Sequence, residues 1–248
     1  MRLAIAGGTG LTGTHVADIA RERGHEVAVL SRATGVELLS GAGLAAALAG
    51  ADAVIDVTNV STTKPDVSVS FFAGVAKRLL AAERAAGVSH HLALTIVGAE
   101  TAPDGYYAGK LVQERLVEAG PVPWTVLRST QFHEFAPLLF HRATAGVHAA
   151  PRGRVQPIAV HEVAQHLVTL AETGPAGRTR ELAGPREESL VDMIRRYAEA
   201  IGFRGHVPAI STPGTYGRAL RNGTLLPGPG ALLGLQTYAE WLDALPDA

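Results

Sequence analysis

Two short stretches of this chain hold the residue types that chemistry needs, at spacings that make them usable. In Asp104-Gly-Tyr-Tyr-Ala-Gly-Lys110, Tyr106 and Lys110 stand four residues apart, which places them on one face of a helix. An ammonium beside a phenol stabilises the phenolate and lowers a pKa of about 10, so Tyr106 is expected to serve as a general acid or base near neutrality, tuned by Lys110. The second stretch is Ala6-Gly-Gly-Thr-Gly-Leu-Thr-Gly13, with Gly7, Gly10 and Gly13 at every third position and Gly8, Thr9 and Leu11 between them. It follows an apolar run, Leu3-Ala-Ile-Ala6, and opens a helical stretch from about Leu11 to Arg23. The three glycines serve in turn a tight strand-to-helix turn, close approach of backbone to a pyrophosphate, and close packing of helix on strand. The N–H groups of the first helical turn and the positive end of the helix dipole then face the phosphates. The stretch reads as a dinucleotide cradle, and Lys110 is within reach of the ribose of whatever it binds.

The elements that must position these residues alternate between strand and helix with short connections, the pattern of a parallel sheet covered on both faces. Strands are expected at Leu3–Ala6, Glu26–Leu30, Ala53–Val57, Leu92–Val97 and Pro123–Leu127, with a brief Val36–Leu39 segment after the second. Helices are expected near Leu44–Leu48, Val69–Ala86 and Tyr106–Glu118. Beyond Arg128 the pattern loosens into a helix over Phe132–Ala143, an apolar Arg154–Ile158, and a helix near Glu162–Ala171. A strand at Thr179–Leu182, a helix over Leu190–Ile201 and a Gly-Pro-rich tail over Gly202–Gly230 follow. The fold class is α/β: a Rossmann-type doubly wound parallel sheet over residues 1–130. Residues 131–248 return one or two elements to that core and form a small C-terminal substrate-binding region.

At 248 residues with no cysteine, the chain can bury a large core without staples, and disulfides, thiolate metal sites and cysteine nucleophiles are excluded. A net charge of −1 and the lack of any Lys/Arg run argue against nucleic acid. The N-terminal apolar run is only a strand long before it meets glycines, too short for a signal or a membrane span. A soluble, cytoplasmic protein is expected, with a small-molecule substrate and at most a second copy of itself, as a homodimer, for partners. The histidines do not suggest a metal: His90 and His91 are adjacent, hence on opposite faces of a strand, and His161 and His166 are five apart, poor for one helical face.

An acidic residue at the end of the second strand would accept hydrogen bonds from an adenosine ribose, whereas a basic one would pair with a 2′-phosphate. Here the strand ends in Ser31-Arg32. A guanidinium holds a phosphate bidentately and a serine hydroxyl adds a hydrogen bond, so NADP(H) is expected in preference to NAD(H). Thr58-Asn59, at the carboxyl edge of Ala53–Val57, are further expected cofactor contacts.

Together, Gly7–Gly13, Ser31-Arg32, Asp56-Val-Thr-Asn59, Tyr106-Tyr-Ala-Gly-Lys110 with Gln113-Glu114, and Pro123-Trp-Thr-Val-Leu-Arg-Ser-Thr-Gln-Phe132 resemble the atypical short-chain dehydrogenases/reductases, in particular their NmrA-like NAD(P)-binding group. The resemblance is strong to about Phe135, moderate through Gln156-Pro157 and weak after Leu190. It implies a Rossmann fold with the cofactor across the carboxyl ends of the strands. It also implies a tyrosine that trades a proton with a carbonyl or alcohol while hydride passes to or from a nicotinamide, with a serine orienting the substrate. Tyr106 and Lys110 match. The serine does not: Ser89 comes too early, and Thr95 stands where the hydroxyl belongs, either in its role or simply as a β-branched strand residue. Just after Pro123–Leu127, Gln131, Phe132 and His133 are expected to line the pocket mouth, Phe132 as an apolar wall.

The leading expectation is an NADPH-dependent reductase of a carbonyl, quinone or related small molecule. A non-catalytic NADP(H)-binding redox sensor, a role some NmrA-like proteins are thought to fill, and an epimerase or dehydratase that retains its nicotinamide cofactor are the alternatives.

Overall fold

In the computed structural model, which describes residues 1–143 and 146–245, Leu3, Ala4, Ile5 and Ala6 are fully buried. The first strand (β1, Arg2–Ala6) therefore has no solvent face and belongs inside a sheet covered on both sides. It is flanked in parallel by β2 (Glu26–Leu30) and β3 (Ala53–Asp56), with Ile5 in register with Val29 and Ile55. Next to β3 comes β4 (His90–Ile96), also parallel, then β5 (Trp124–Ser129), and Gly177–Arg178 pairs in parallel with Thr125 and Val126. The helices are α1 (Leu11–Glu22), α2 (Leu44–Ala47), α3 (Pro65–Ala86) and α4 (Tyr106–Glu118), and Val160–Thr173 packs beside α1. Ala4, Ala6 and Val54 pack with Val75 and Leu79 of α3 in one apolar cluster. The alternate residues Leu3, Ile5 and Ile55 point to the other face and are equally buried.

The chain divides into two units. The first is Met1–Arg128 with Val160–Arg180, and holds the sheet just described; the second is Ser129–Ala159 with Glu181–Ala248. In the second unit Leu182–Ala183 pairs in parallel with Leu232–Leu233, and Leu182 is in register with Ser129. Two small ladders join Arg154–Val155 to Glu188–Ser189 and Ala150–Pro151 to Ala209–Ile210. The amphipathic helix Leu190–Ala200 buries Leu190, Met193, Ile194 and Ala198. No described helix is long and apolar enough to cross a membrane.

Several element boundaries depart from expectation for identifiable reasons. Helix α3 starts at Pro65, not Val69, because proline at the first helical turn is pre-set for helix and gives up an N–H that needs no partner there. Strand β4 starts at His90, since both histidines find buried partners: His90 with the Thr125 hydroxyl at 2.8 Å and His91 with the Glu83 carboxylate at 2.8 Å. Val36–Leu39 makes only a single bridge, Glu37 to Ala42. The expected strand Thr179–Leu182 is two short ones, at Gly177–Arg178 and Leu182–Ala183. The expected helix over Phe132–Ala143 is cut to Phe135–Phe140 because Phe132 is bridged to Ile158 in extended conformation. Two helices stand where the sequence suggested only a Gly-Pro-rich tail and its continuation, Gly214–Asn222 and Tyr238–Asp243. The second carried a legible signal: Thr237 and Glu240 form a capping box at its start.

Helices α3 and α4 meet across Gly109. A Cβ there would lie 2.2 Å from the Ser68 hydroxyl and 2.6 Å from the Phe72 ring, so Gly109→Ala must drive the helices apart. The expected cost is about 1–3 kcal/mol in urea unfolding, with Ser68→Ala in the same chain recovering part of it.

The His91–Glu83 pair has no exposure on either side chain. Burial pulls the imidazole pKa down, but the charge of Glu83 and its hydrogen bond, helped by Asp56, more than offset this and hold it above the ordinary 6.5. A group whose pKa is raised on folding stabilises fully below its unfolded value and loses that contribution as pH rises through its folded value. Unfolding free energy should therefore fall as pH is raised from about 6 into the alkaline range. Glu83→Gln should remove that slope, and Glu83→Ala should cost about 3–5 kcal/mol below it. A wild-type profile flat across this range would refute the pairing.

Candidate functional site

The glycine turn is built as tightly as its spacing suggests. Gly7 has φ +80°, and a Cβ on it would lie 3.1 Å from Thr58 Cα and from the Val57 carbonyl. On Gly13 it would stand 2.2 Å from the Gly7 carbonyl, and on Gly8 2.9 Å from Val29. These three glycines are demanded by the chain itself. Gly10 is different: its Cβ would meet only the Gly7 carbonyl, at 3.3 Å, so the larger reason for glycine there lies outside the chain, in what approaches it. Gly10 caps α1 with no side-chain hydrogen bond, the first turn holds no acidic residue, and Thr9, Gly10 and Leu11 are exposed. Uncapped N–H groups on an accessible helix start suit an anionic group. Thr58, against the same turn, is buried with a hydroxyl that has no partner among the described residues. On these observations the residues present fit a dinucleotide.

At the end of β2, Ser31 begins a 3-10 turn and its hydroxyl lies 3.3 Å from that of Thr34. Arg32 is exposed, and its guanidinium makes no ion pair or hydrogen bond among the described residues. Asn59 is likewise exposed.

Tyr106 and Lys110 both lie on α4, whose start is set by Gly105 (φ +55°) and by the Asp104 carboxylate accepting from the Gly105 N–H. Ser68 donates to the Tyr106 carbonyl at 2.9 Å, and the Phe72 ring stands edge-on to the phenol, centroids 5.6 Å apart. The electrostatics are the reverse of the sequence expectation. Burial, and then the negative charge of Asp56, push the Tyr106 phenol well above its ordinary value. Lys110 does not offset them because its ammonium is spent elsewhere. It donates to the carbonyls of Leu94 (2.9 Å) and Thr58 (3.3 Å) and to Gln113 Oε1 (2.9 Å), with the Phe72 ring 4.3 Å away. Burial lowers its own pKa to about 8 against the pull of Asp56 and Glu114. Tyr106 is half-buried, its hydroxyl has no partner among the described residues, and burial keeps it protonated.

Thr95 also departs from expectation. Its hydroxyl donates to Glu114 Oε1 at 2.6 Å, and Glu114 in turn accepts from Arg128, which also pairs with Glu100. The threonine proton is thus committed to a buried carboxylate, and no proton is left to orient a substrate. In the second unit, Gln131 is 6% exposed and His133 is fully buried, so neither lines an open mouth. His133 lies 3.2 Å from the Gln236 carbonyl and packs against both the Tyr238 and Trp241 rings. Burial takes its pKa down to about 4, leaving a neutral imidazole with a packing role. Phe132 remains partly exposed.

Sequence reasoning gave no role to Asp56 or Gln113, yet they organise the site. Both are fully buried. The Gln113 amide donates to Asp56 Oδ2 at 2.7 Å, and Oδ1 accepts from the Thr58 N–H at 2.9 Å. The available signal was a carboxylate closing an otherwise apolar strand, Ala53-Val-Ile-Asp56, and a polar residue three after Lys110 on the same helical face.

The sequence matches the family described as NAD(P)H-binding over residues 7–173, more than half of the chain. No curated protein matches it. Among solved structures it is similar to UDP-N-acetylglucosamine 4-epimerase from Bacillus cereus (TM-score 0.70, 14% identity, covering 100% of this chain and 98% of that one). A nucleoside-diphosphate-sugar epimerase from Pseudomonas aeruginosa has TM-score 0.66 at 20% identity, covering 91% and 85%. The Bordetella bronchiseptica enzyme WbmH, in complex with NAD+, has TM-score 0.68 at 15% identity, covering 84% and 85%. At such identities these likenesses speak for the fold. With the glycine turn, the parallel sheet and the family match in agreement, the chain belongs to the NAD(P)H-binding family and has a Rossmann fold.

Proposed function

We propose that this protein is an NADP(H)-dependent oxidoreductase that reduces a carbonyl, quinone or related small molecule. The observation that carries the cofactor choice is Arg32, an exposed guanidinium without a partner among the described residues at the end of β2, the strand beside the one that feeds the uncapped glycine turn. The Gly7–Gly13 turn and the first N–H groups of α1 hold the pyrophosphate, Arg32 with Ser31 takes the 2′-phosphate, and Thr58 offers its unpaired hydroxyl. Bound there, the cofactor supplies hydride to the substrate. Tyr106 donates its phenolic proton to the substrate oxygen as that oxygen becomes strongly basic on receiving hydride; the raised pKa keeps the phenol protonated beforehand and makes it a weaker acid than a free tyrosine. The phenolate left behind regains a proton from solvent.

Isothermal titration with NADPH, NADP, NADH and NAD tests the cofactor assignment. Arg32→Ala should weaken NADP(H) about tenfold or more, the worth of at least one charge-assisted hydrogen bond, while leaving NAD(H) within about twofold. Equal loss for both pairs would refute the 2′-phosphate role. Tyr106→Phe should lower carbonyl turnover by about 100-fold or more at unchanged NADPH affinity. A redox sensor would be indifferent to that substitution.

A second reading, an epimerase or dehydratase with retained cofactor, is favoured by the similarity to two sugar epimerases. Nicotinamide carried through purification, with no net NADPH consumed in turnover, would select it.

A further inference from the structure

Lys110 stands in the site with no proton to spare. An ammonium has three N–H donors, and the Leu94 carbonyl, the Thr58 carbonyl and Gln113 Oε1 take all three. Lys110 is 4% exposed, and the Phe72 ring covers a further side. The acceptors are not equivalent. Leu94 and Thr58 offer backbone carbonyls, one within β4 and one just beyond the end of β3, and neither can turn away without moving the sheet. Gln113 offers a side-chain amide whose other end is anchored on Asp56 at 2.7 Å. Thr58 borders Gly7, so Lys110 is one residue removed from the glycine turn. A nucleotide hydroxyl that reaches the ammonium must displace one of the three acceptors, and Gln113 is the one free to yield.

We propose that Gln113 is a positioning residue that latches Lys110 in the cofactor-free protein, and that binding exchanges the Lys110–Gln113 hydrogen bond for one from Lys110 to a ribose hydroxyl of the nucleotide. The inference rests on the NADP(H) reading above. While the latch is closed, Lys110 faces the sheet edge and not the phenol. When it opens, Gln113 keeps its bond to Asp56 and Lys110 keeps its two carbonyls, so the change is local and needs no rearrangement of the helices. The latch acts as a competing ligand, and its removal must strengthen binding.

Gln113→Met keeps the length of the side chain and deletes the acceptor, together with the amide N–H given to Asp56. In isothermal titration with NADPH it should bind about threefold to tenfold tighter than wild type, the size of one net hydrogen bond. In a Lys110→Met background the same substitution should change nothing. Equal or weaker binding by Gln113→Met overturns the latch while wild-type binding still upholds the cofactor reading. Failure of wild type to bind any nicotinamide nucleotide overturns both. Should Gln113→Met not fold, wild type decides. The chain has three lysines, Lys64, Lys77 and Lys110, so lysine-labelled protein gives three resolvable side-chain signals by NMR. The Lys110 signal and the Gln113 side-chain amide should both shift on saturation with NADPH, with Lys77 as internal reference. A Gln113 amide that stays in place at saturation overturns the proposal.

Discussion

A buried ammonium is the constraint on which the site depends. An isolated charge removed from water costs far more than a domain's whole stability margin unless it is paired and hydrogen-bonded. Lys110 is 4% exposed, and its surroundings answer that requirement one by one. Two carbonyls from the carboxyl ends of neighbouring strands, the Gln113 oxygen, the face of Phe72 and the nearby charge of Asp56 all converge on it. Phe72 reaches that place only because α3 comes within touching distance of α4 at Gly109. The glycine between Tyr106 and Lys110 thus belongs to the site as much as the two side chains do. The same packing sets Phe72 against the phenol and buries Tyr106 enough to hold its proton.

The other buried charges of the first unit form separate hydrogen-bonded sets. Glu114, Thr95 and Arg128 make one, extended outward by Glu100, Arg178 and Glu118, and it ties α4 to β4, β5 and the Gly177–Arg178 strand. Glu83 and His91 make another, between α3 and the start of β4. Thr95 belongs to the Glu114 set and Lys110 to the Asp56 set. That division explains why a hydroxyl at a promising sequence position and a lysine beside a tyrosine do not cooperate in the expected way: each answers first to the buried charge or carbonyl it must satisfy.

The second unit is assembled on different terms. Its strands are two residues long, and much of its packing is aromatic. Phe140 stacks on His148 at 4.1 Å and meets Tyr197 and Phe203 edge-on, and Tyr238 stacks on Trp241 with its hydroxyl donating to the Met193 carbonyl. Such contacts join residues far apart in the chain and leave little periodic trace. The pattern was accordingly sharp up to Arg128, where α4 agrees residue for residue over Tyr106–Glu118, and loose beyond it, where the helix Gly214–Asn222 passed as tail, the helix Tyr238–Asp243 was not foreseen and one strand proved to be two.

The sequence alone determined the β1–glycine turn–α1 unit, the parallel α/β order and the placement of Tyr106 and Lys110 on one helix. These depend on local spacing: strand alternation, helical period, and glycines whose absent side chains can be counted without knowing their neighbours. Only the tertiary structure decided what those residues do to each other. It turned the Lys110 ammonium toward Thr58, Leu94 and Gln113, gave the Thr95 proton to Glu114, and buried His133 against Tyr238 and Trp241. The physical reason is common to all three. The direction of a buried polar group is set by whichever unsatisfied partner lies nearest, and most of these partners come from segments remote in the chain, where spacing carries no information about them.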